Sequence, residues 1–378
     1  MSRRVFLGMS GGVDSSVSAL LLKEQGYDVT GIYMKNWSED LPGMKCPWAE
    51  DLADAKRVAV GLDLDFEVWD FEQDYKDAVV DYMLSEFRTG RTPNPDVVCN
   101  ELIKFKLFYE RALAHGADSI ATGHYARTGR STGGEPELLR AVDENKDQTY
   151  FLYRMSDESL AKTIFPLGEF KKPEVKALAR ERGLDVAGKK ESMGVCFVGE
   201  VGMKEFLSRY IETKPGEIRE QESNAVLGHH DGAIFYTLGQ RHGMYLGGGL
   251  PYYVVGKDLE RNIVYVSKNL NHPGLWANEL ELTDLHWRAG FNAEKVANST
   301  NLMVRLRHRA SLIPVTVMRD SRPIDESQGL GSLDGSRDFG SRSGSVRLRF
   351  AEPIRRPAPG QSAVLYGDLV CLGGGICN

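Results

Sequence analysis

The chain has 378 residues, 42% hydrophobic and 26% charged, with a net charge of −6; this suggests two or three domains with ample core and argues against a bulk nucleic-acid binder. No run approaches the roughly 18 apolar residues of a membrane span, and the first residues lead straight into a motif, so no signal peptide is expected. The five cysteines, Cys46, Cys99, Cys196, Cys371 and Cys377, form no C-x-x-C pair, which disfavours a zinc ribbon or disulfide scaffold and fits a reducing cytoplasm.

Strand and helix alternate along the first two hundred residues. The pattern predicts a strand over Arg4–Met9 and a helix over Asp14–Gln25 that buries Leu20, Leu21 and Leu22 and stops at Gly26. A strand at Asp28–Met34 and a helix at Asp51–Val60 follow, then a strand at Asp65–Phe71 and a helix at Asp74–Phe87. A helix at Asn100–His115, a strand at Asp118–His124 and a helix at Glu174–Arg182 complete the series. This alternation implies a parallel sheet covered on both faces, an α/β fold of Rossmann-like type. After about Phe206 helical periodicity largely vanishes. Short β-rich runs replace it: Ala233–Thr237, Tyr252–Val255, Asn262–Val266, Leu302–Arg307, Val315–Met318, Val346–Phe350 and Ala363–Tyr366. They read as a small central β-rich domain and a C-terminal antiparallel β-barrel. The expected divisions are 1–205, 206–275 and 276–378. Arg322–Gly344, rich in Ser, Gly, Asp and Arg, reads as a hairpin insertion without chemistry.

Ser10-Gly-Gly-Val-Asp-Ser15 lies between the first strand and first helix. Glycines let the backbone approach an anion, and a helix N-terminus offers free N–H groups and partial positive charge. A bare Gly-Gly pair could be a turn with Ser10 or Asp14 as a cap; the full string after a strand is more specific. No Gly-Lys-Ser/Thr follows, so this is not the loop that holds β- and γ-phosphates for γ-transfer.

Two cysteines fall in polar loops. Pro93 and Pro95 stiffen the approach to Cys99, which is expected at or near the start of the Asn100–His115 helix. A helix N-terminus lowers a thiol's pKa, and Lys104 and Lys106 add positive potential. The alternative is a buried, apolar cysteine. Cys196 lies in Lys189-Lys-Glu-Ser-Met-Gly-Val-Cys-Phe-Val-Gly199, either an accessible thiol in a basic loop or a strand cysteine facing the core. Nothing in the sequence brings the two thiols together. Asp96 is a candidate acid/base or a turn-capping residue after Pro95. Between Asn301 and Arg356 there are eleven Arg and no Lys against six Asp plus Glu, hence 11 − 6 = +5. That is a local phosphate-binding face or a solvated barrel surface.

The Ser10–Ser15 string resembles that of the PP-loop ATP pyrophosphatases, and the whole chain resembles the tRNA-specific 2-thiouridylase family. The marks are Gly8-Met-Ser-Gly-Gly-Val-Asp-Ser15, Tyr33-Met-Lys-Asn-Trp37, Thr92-Pro-Asn-Pro-Asp96, Ala121-Thr-Gly-His-Tyr-Ala-Arg127 and Asn145-Lys-Asp-Gln-Thr-Tyr-Phe-Leu-Tyr153. Gly194-Val-Cys-Phe197, Tyr236-Thr-Leu-Gly-Gln-Arg241 and Pro359-Gly-Gln-Ser-Ala363 follow in order. Glu191-Ser-Met-Gly departs from the Asp-Ser-Thr-Gly expected beside Cys196.

The resemblance implies that Gly8, Met9, Ser10, Gly11, Gly12, Val13, Asp14, Ser15, Met34 and Gly123 hold ATP, with magnesium. Asn94, Pro95 and Asp96 would contact a flipped uracil, Cys99 would be the nucleophile, and Cys196 would carry a persulfide. His124, Lys146, Asp147, Gln148, Arg307, His308 and Gln361 would touch tRNA. The implied product is 2-thiouridine at the wobble position, by adenylation of O2 and then sulfur transfer. The persulfide attacks directly and Cys99 resolves it, or Cys99 releases hydrosulfide; either route ends in a Cys99–Cys196 disulfide. A cysteine desulfurase or relay protein would supply sulfur, and the tRNAs would be those for Lys, Glu and Gln. No carboxylate cluster identifies a magnesium site, and Asp14 is the candidate.

Overall fold

The computed structural model describes residues 2–40, 46–189, 202–244, 246–247, 249–318 and 344–378. The chain divides into two compact units. One comprises Met1–Thr89, Asn94–Thr213 and Leu369–Cys371; the other comprises Gly90–Pro93, Lys214–Asp368 and Leu372–Asn378. No described helix is long and apolar enough to cross a membrane.

The first unit is the expected α/β fold. Its sheet runs β3-β2-β1-β4-β7, with strands at Arg4–Gly8 (β1), Asp28–Lys35 (β2), Asp65–Asp70 (β3), Ser119–Thr122 (β4) and Thr163–Ile164 (β7). Every pairing is parallel. Strand β1 is central and apolar, with Val5, Phe6 and Leu7 at most 1% exposed; each such side chain contributes about 1.5–3 kcal/mol by leaving water. The helices are α1 (Val13–Glu24), α2 (Trp48–Gly61), α3 (Glu72–Tyr75), α4 (Asp81–Arg88), α5 (Pro95–Val98) and α6 (Tyr109–Ala114). Strands β5 (Arg127–Arg130) and β6 (Pro136–Leu139) form a hairpin. Helices α7 (Thr149–Leu152), α8 (Asp157–Ala161), α9 (Lys172–Glu181) and α10 (Met203–Tyr210) complete the unit. The strand order reverses its direction of growth between β1 and β4, which opens a crevice at their carboxyl ends.

Two expected helices are longer and less regular than the pattern suggested. A wide π-helical stretch, Lys76–Val80, joins α3 to α4, and another, Cys99–Phe108, joins α5 to α6. The second helix begins at Pro95, not at Asn100. Proline suits the first helical position because its fixed φ is helical and its missing N–H is not needed there.

The second unit holds the β-rich remainder. Strands β8 (Gly216–Glu220), β9 (Val226–His230), β10 (Tyr253–Asp258) and β11 (Ile263–Ser267) form a small sheet ordered β10-β11-β8-β9. It covers a core that includes Ile218, Val254, Val264 and Val266, all fully buried. The C-terminal strands are β12 (Trp276–Trp287), β13 (Leu302–Arg305), β14 (Ile313–Pro314), β15 (Thr316–Met318), β16 (Val346–Arg355), β17 (Ser362–Gly367) and β18 (Val370–Cys377). They form a nearly closed antiparallel barrel sheet ordered β14-β13-β17-β18-β12-β16-β15. A short helix, α11 (Ala293–Ala297), begins at Asn292, whose side chain accepts from Lys295 N.

One expected strand is absent. Ala233–Phe235 is a single 3-10 turn. Gly232, at φ +155°, redirects the chain, and Asn262 Oδ1 accepts from Ala233 N at 3.1 Å. Ala233 and Tyr236 then anchor in the core, so the apolar run marks a buried turn. The Arg322–Gly344 segment falls, up to residue 343, outside the described residues.

Lys257 on β10 donates from Nζ to Gly90 O at 2.7 Å, and burial lowers its pKa to about 8. Between that value and its ordinary 10.5 the unfolded chain binds more protons than the folded one. Stability contributed at this residue therefore rises as pH climbs through that window. Thermal melts of the protein and of Lys257→Met should show the difference moving in favour of the unsubstituted chain between pH 8 and pH 10.5. A difference independent of pH would contradict the lowering of the Lys257 pKa by burial.

Candidate active site

The crevice at the ends of β1 and β4 is a cavity of about 280 Å3. Gly8, Met9, Ser10, Asp14 and Ser15 form one wall, Met34, Asn36, Trp37 and Trp48 another, and Lys104, Thr122, Gly123, His124 and Gln148 a third.

The loop after β1 is shaped by backbone approach. Gly11 sits at φ +71°, and a Cβ there would lie 2.1 Å from Asp51 O, so only glycine fits. Gly12 is the extended residue before α1 and brings no side chain to cap it. Ser15 Oγ accepts from Ser10 N at 3.2 Å and donates to Gly12 O at 3.1 Å, which folds the loop onto the first turn of α1. From β4, Gly123 comes so close that a Cβ would lie 2.9 Å from Ser15 N. An uncapped helix start behind a glycine turn is a fit for pyrophosphate oxygens.

Seven of the ten residues assigned to ATP line this cavity: Gly8, Met9, Ser10, Asp14, Ser15, Met34 and Gly123. Gly11, Gly12 and Val13 do not line it; Val13 is 5% exposed, its side chain in the core under the loop. Asp14 is tied by one oxygen to Tyr125 Oη at 2.9 Å and to Lys172 Nζ at 2.6 Å. That ion pair joins α1 to α9. Asn36 Oδ1 is buried against the cavity without a hydrogen-bond partner, an acceptor available to a ligand amine. Lys189 Nζ bonds Gly11 O at 3.1 Å and pairs with Asp51 at 2.7 Å and with Asp54, bracing the loop from outside. Burial lowers the Lys189 pKa less than the bonds to Asp51 and Asp54 raise it, so the net direction is upward and the ammonium is kept. Among the described residues no His, Cys, Asp or Glu cluster could hold a metal.

Cys99 is one turn inside its helix and 4% exposed, not at the N-terminus. Its N–H is already bonded to Asp96 O and Pro95 O, so the helix start supplies less direct help to the thiolate than the sequence suggested. Lys104 stands one wide π turn further on. It is near enough to Asp96 and His124 to act on both. Burial raises the Asp96 carboxyl above its ordinary value, and Lys104 opposes this. Burial, helped by Lys104, holds His124 well below the ordinary histidine value, so its imidazole is neutral at pH 7. Asn94 precedes α5 without a side-chain cap, and Pro95 is buried. Cys196 and the Glu191 variation lie outside the described residues.

The residues assigned to tRNA separate into groups. His124 and Gln148 line the cavity itself, with Gln148 Oε1 accepting from Tyr125 N at 2.8 Å. Asp147 is 1% exposed and its carboxylate accepts from Ala141 N, Thr149 N and Thr149 Oγ1, which holds its own loop. Lys146 beside it is half-buried. In the second unit Arg307 is exposed and His308 half-buried. Gln361 Nε2 donates to Thr92 O at 2.8 Å and to Pro93 O at 3.3 Å. The Arg-rich stretch is not all surface: Arg305 is 3% exposed with its guanidinium over the Tyr366 ring. Sequence reasoning missed Lys172, Asn36 and the bracing role of Lys189. The doubled lysine at 189–190 was the available signal for the last; the other two are set by tertiary approach.

A parallel α/β sheet with an anion loop at its switch point defines a nucleotide-binding enzyme fold. Three family models match the chain in turn: a tRNA methyl transferase HUP domain over residues 3–200, a tRNA methyl transferase PRC-barrel domain over 204–268, and an aminomethyltransferase β-barrel domain over 340–377. The tRNA-specific 2-thiouridylase MnmA of Idiomarina loihiensis is 45% identical over 99% of this chain and 96% of its own length. The proteins of that name from Bacillus thuringiensis and Listeria monocytogenes are each 46% identical over 98% of this chain, and over 93% and 94% of their own lengths. The chain belongs to the tRNA-specific 2-thiouridylase family.

Gly123→Ala should weaken ATP binding tenfold or more without unfolding the protein, because the added methyl meets Ser15 N at 2.9 Å and shifts the loop. Calorimetric titration with a non-hydrolysable ATP analogue checks this; unchanged affinity would place the nucleotide elsewhere.

Proposed function

We propose that the protein converts the wobble uridine of tRNA to 2-thiouridine, using ATP to activate the oxygen that sulfur replaces. The observation that carries this reading is the pairing of two features in one α/β unit. An anion loop opens on a cavity walled by Lys104 and His124, and the helix that carries Lys104 also carries Asp96 and Cys99. The full-length kinship to 2-thiouridylases supports it.

Gly8–Ser15 and Gly123 would receive the phosphates, and Met34 would lie against adenine. Magnesium would travel with ATP, and Asp14 in the cavity lining is the candidate carboxylate. The uracil would leave the anticodon stack at a cost of a few kcal/mol and settle against Asn94, Pro95 and Asp96. Its O2 attacks the α-phosphorus and pyrophosphate leaves. A neutral His124 adds no repelling or competing charge, and Lys104 balances the negative charge gathered there. Asp96, with its carboxyl raised by burial, is suited to carry a proton for the thiol steps.

Sulfur then reaches C2 from a persulfide on Cys196. If the terminal sulfur attacks C2, AMP leaves with the former O2, and Cys99 breaks the remaining S–S bond. If Cys99 attacks first, it releases hydrosulfide, which attacks C2. Both end in a Cys99–Cys196 disulfide that an external thiol must reduce. A cysteine desulfurase or relay protein would recharge Cys196, and tRNAs for Lys, Glu and Gln are the proposed substrates. Lys146, Arg307 and His308 are the proposed RNA contacts. A three-part division at 1–205, 206–275 and 276–378 and a cytoplasmic setting belong to the same reading. Methyl transfer, named in two matched models, would give the anion loop no task.

Cys99→Ser and Cys196→Ser should each reduce 2-thiouridine formation at least a hundredfold while ATP still binds. Mass spectrometry of nucleosides from tRNA treated with ATP and a persulfide donor checks this. Continued thiolation by Cys196→Ser with that donor would end the sulfur-relay assignment.

A further inference from the structure

Four residues, Gly90–Pro93, leave the α/β unit and belong to the β-rich unit, and the chain then returns to begin α5 at Pro95. Every one of the four is held there. Gly90, at φ +76°, gives its carbonyl to Lys257 Nζ at 2.7 Å. Arg91 Nη1 reaches Asn378 Oδ1 at 3.2 Å. Thr92 N donates to Pro359 O at 2.7 Å, and its hydroxyl meets Thr237 Oγ1 at 3.2 Å. Gln361 Nε2 spans the carbonyls of Thr92 and Pro93. Gly360, at φ +94°, allows this closeness, since a Cβ there would stand 2.9 Å from Thr92 O. Pro93 and Pro95 each fix φ and restrict the residue before them, so little torsional freedom separates the Pro93 carbonyl from the first turn of α5. Asp96 is three residues beyond that carbonyl and Cys99 six.

We propose that Gln361 is a positioning residue for the thiol chemistry: by holding the Thr92 and Pro93 carbonyls it sets the start of the helix that presents Asp96 and Cys99. This rests on the reading of Cys99 as the reacting thiol. It assigns Gln361 a task other than direct RNA contact, since both N–H directions of its amide nitrogen are turned to the strap. Lys257 and Thr237 hold the same strap from β10 and from the turn after Ala233, so three separate parts of the β-rich unit fix one short segment.

The test uses the full chain. Gln361→Glu keeps the shape and removes both N–H donors; Gln361→Met keeps the volume without a charge. Lys257→Met frees the other end of the strap. Iodoacetamide alkylation of Cys99, followed by peptide mass spectrometry without RNA, should accelerate threefold or more in both Gln361 variants and rise in Lys257→Met. Cys46 alkylation should stay within twofold. With tRNA, the Kd should stay within twofold while the single-turnover thiolation rate falls at least tenfold. Unchanged Cys99 alkylation overturns the proposal, as does an equal rise at Cys46, which would be general loosening. Weakened tRNA binding with an unchanged rate at saturation also overturns it and makes Gln361 an RNA contact. Thiolation by Cys99→Ser would sink the reading of Cys99 instead, and leaves the alkylation result to decide the strap.

Discussion

A single close approach organises the α/β unit. The end of β4 passes α1 so tightly that Gly123 has no room for a side chain above Ser15 N. Without a Cβ at 123 and at 11, the loop between β1 and α1 can lie flat, with the helix start turned to the cavity. Strand order does the rest: β1 and β4 are neighbours, and the chain leaves them toward opposite sides of the sheet. The surrounding polar contacts serve that geometry. Lys189 holds the loop from Asp51 and Asp54, and Lys172 ties Asp14 to α9.

The electrostatics at Asp96 and His124 follow from burial together with Lys104. Lys104 lies where it lowers Asp96 and His124 together, while desolvation raises the first and lowers the second. The result is a carboxyl nearer to proton exchange and an imidazole without charge. Both shifts have the same leading cause, burial, which favours the neutral form of each group. Cys99 shares the helix of Asp96 and Lys104 but is buried a turn in from its start. The thiol chemistry proposed for it would then depend on its neighbours and on how that helix is held.

The α/β half was legible in the sequence because apolar runs, glycine stops and helix spacing agree with one another there. The loop Ser10–Ser15 was legible because its residue types are demanded by an anion. Its partners were less so. Lys172 is 158 positions from Asp14 and Gln361 is 269 from Thr92, and no local pattern records such approaches. The start of the Cys99 helix is hard to read because a proline suits both a stiff loop and the first helical position, and here its fixed φ opens the helix. Ala233–Thr237 misled for a different reason. A buried turn needs the same apolar residues as a strand, and only Gly232 hinted at the change of direction. Asp147 stands in a motif, and its carboxylate bonds its own loop, which the motif does not reveal.

The central claim is that the anion loop activates the uracil oxygen that sulfur replaces. Its most direct test is to follow that oxygen. Transfer RNA with a heavy oxygen isotope at O2 of the wobble uridine is thiolated by the protein with ordinary ATP, and the products are weighed. The heavy atom should appear in AMP, and none in pyrophosphate or water. Heavy oxygen found in water, with AMP unlabelled, would contradict adenylation and with it the role given to the loop.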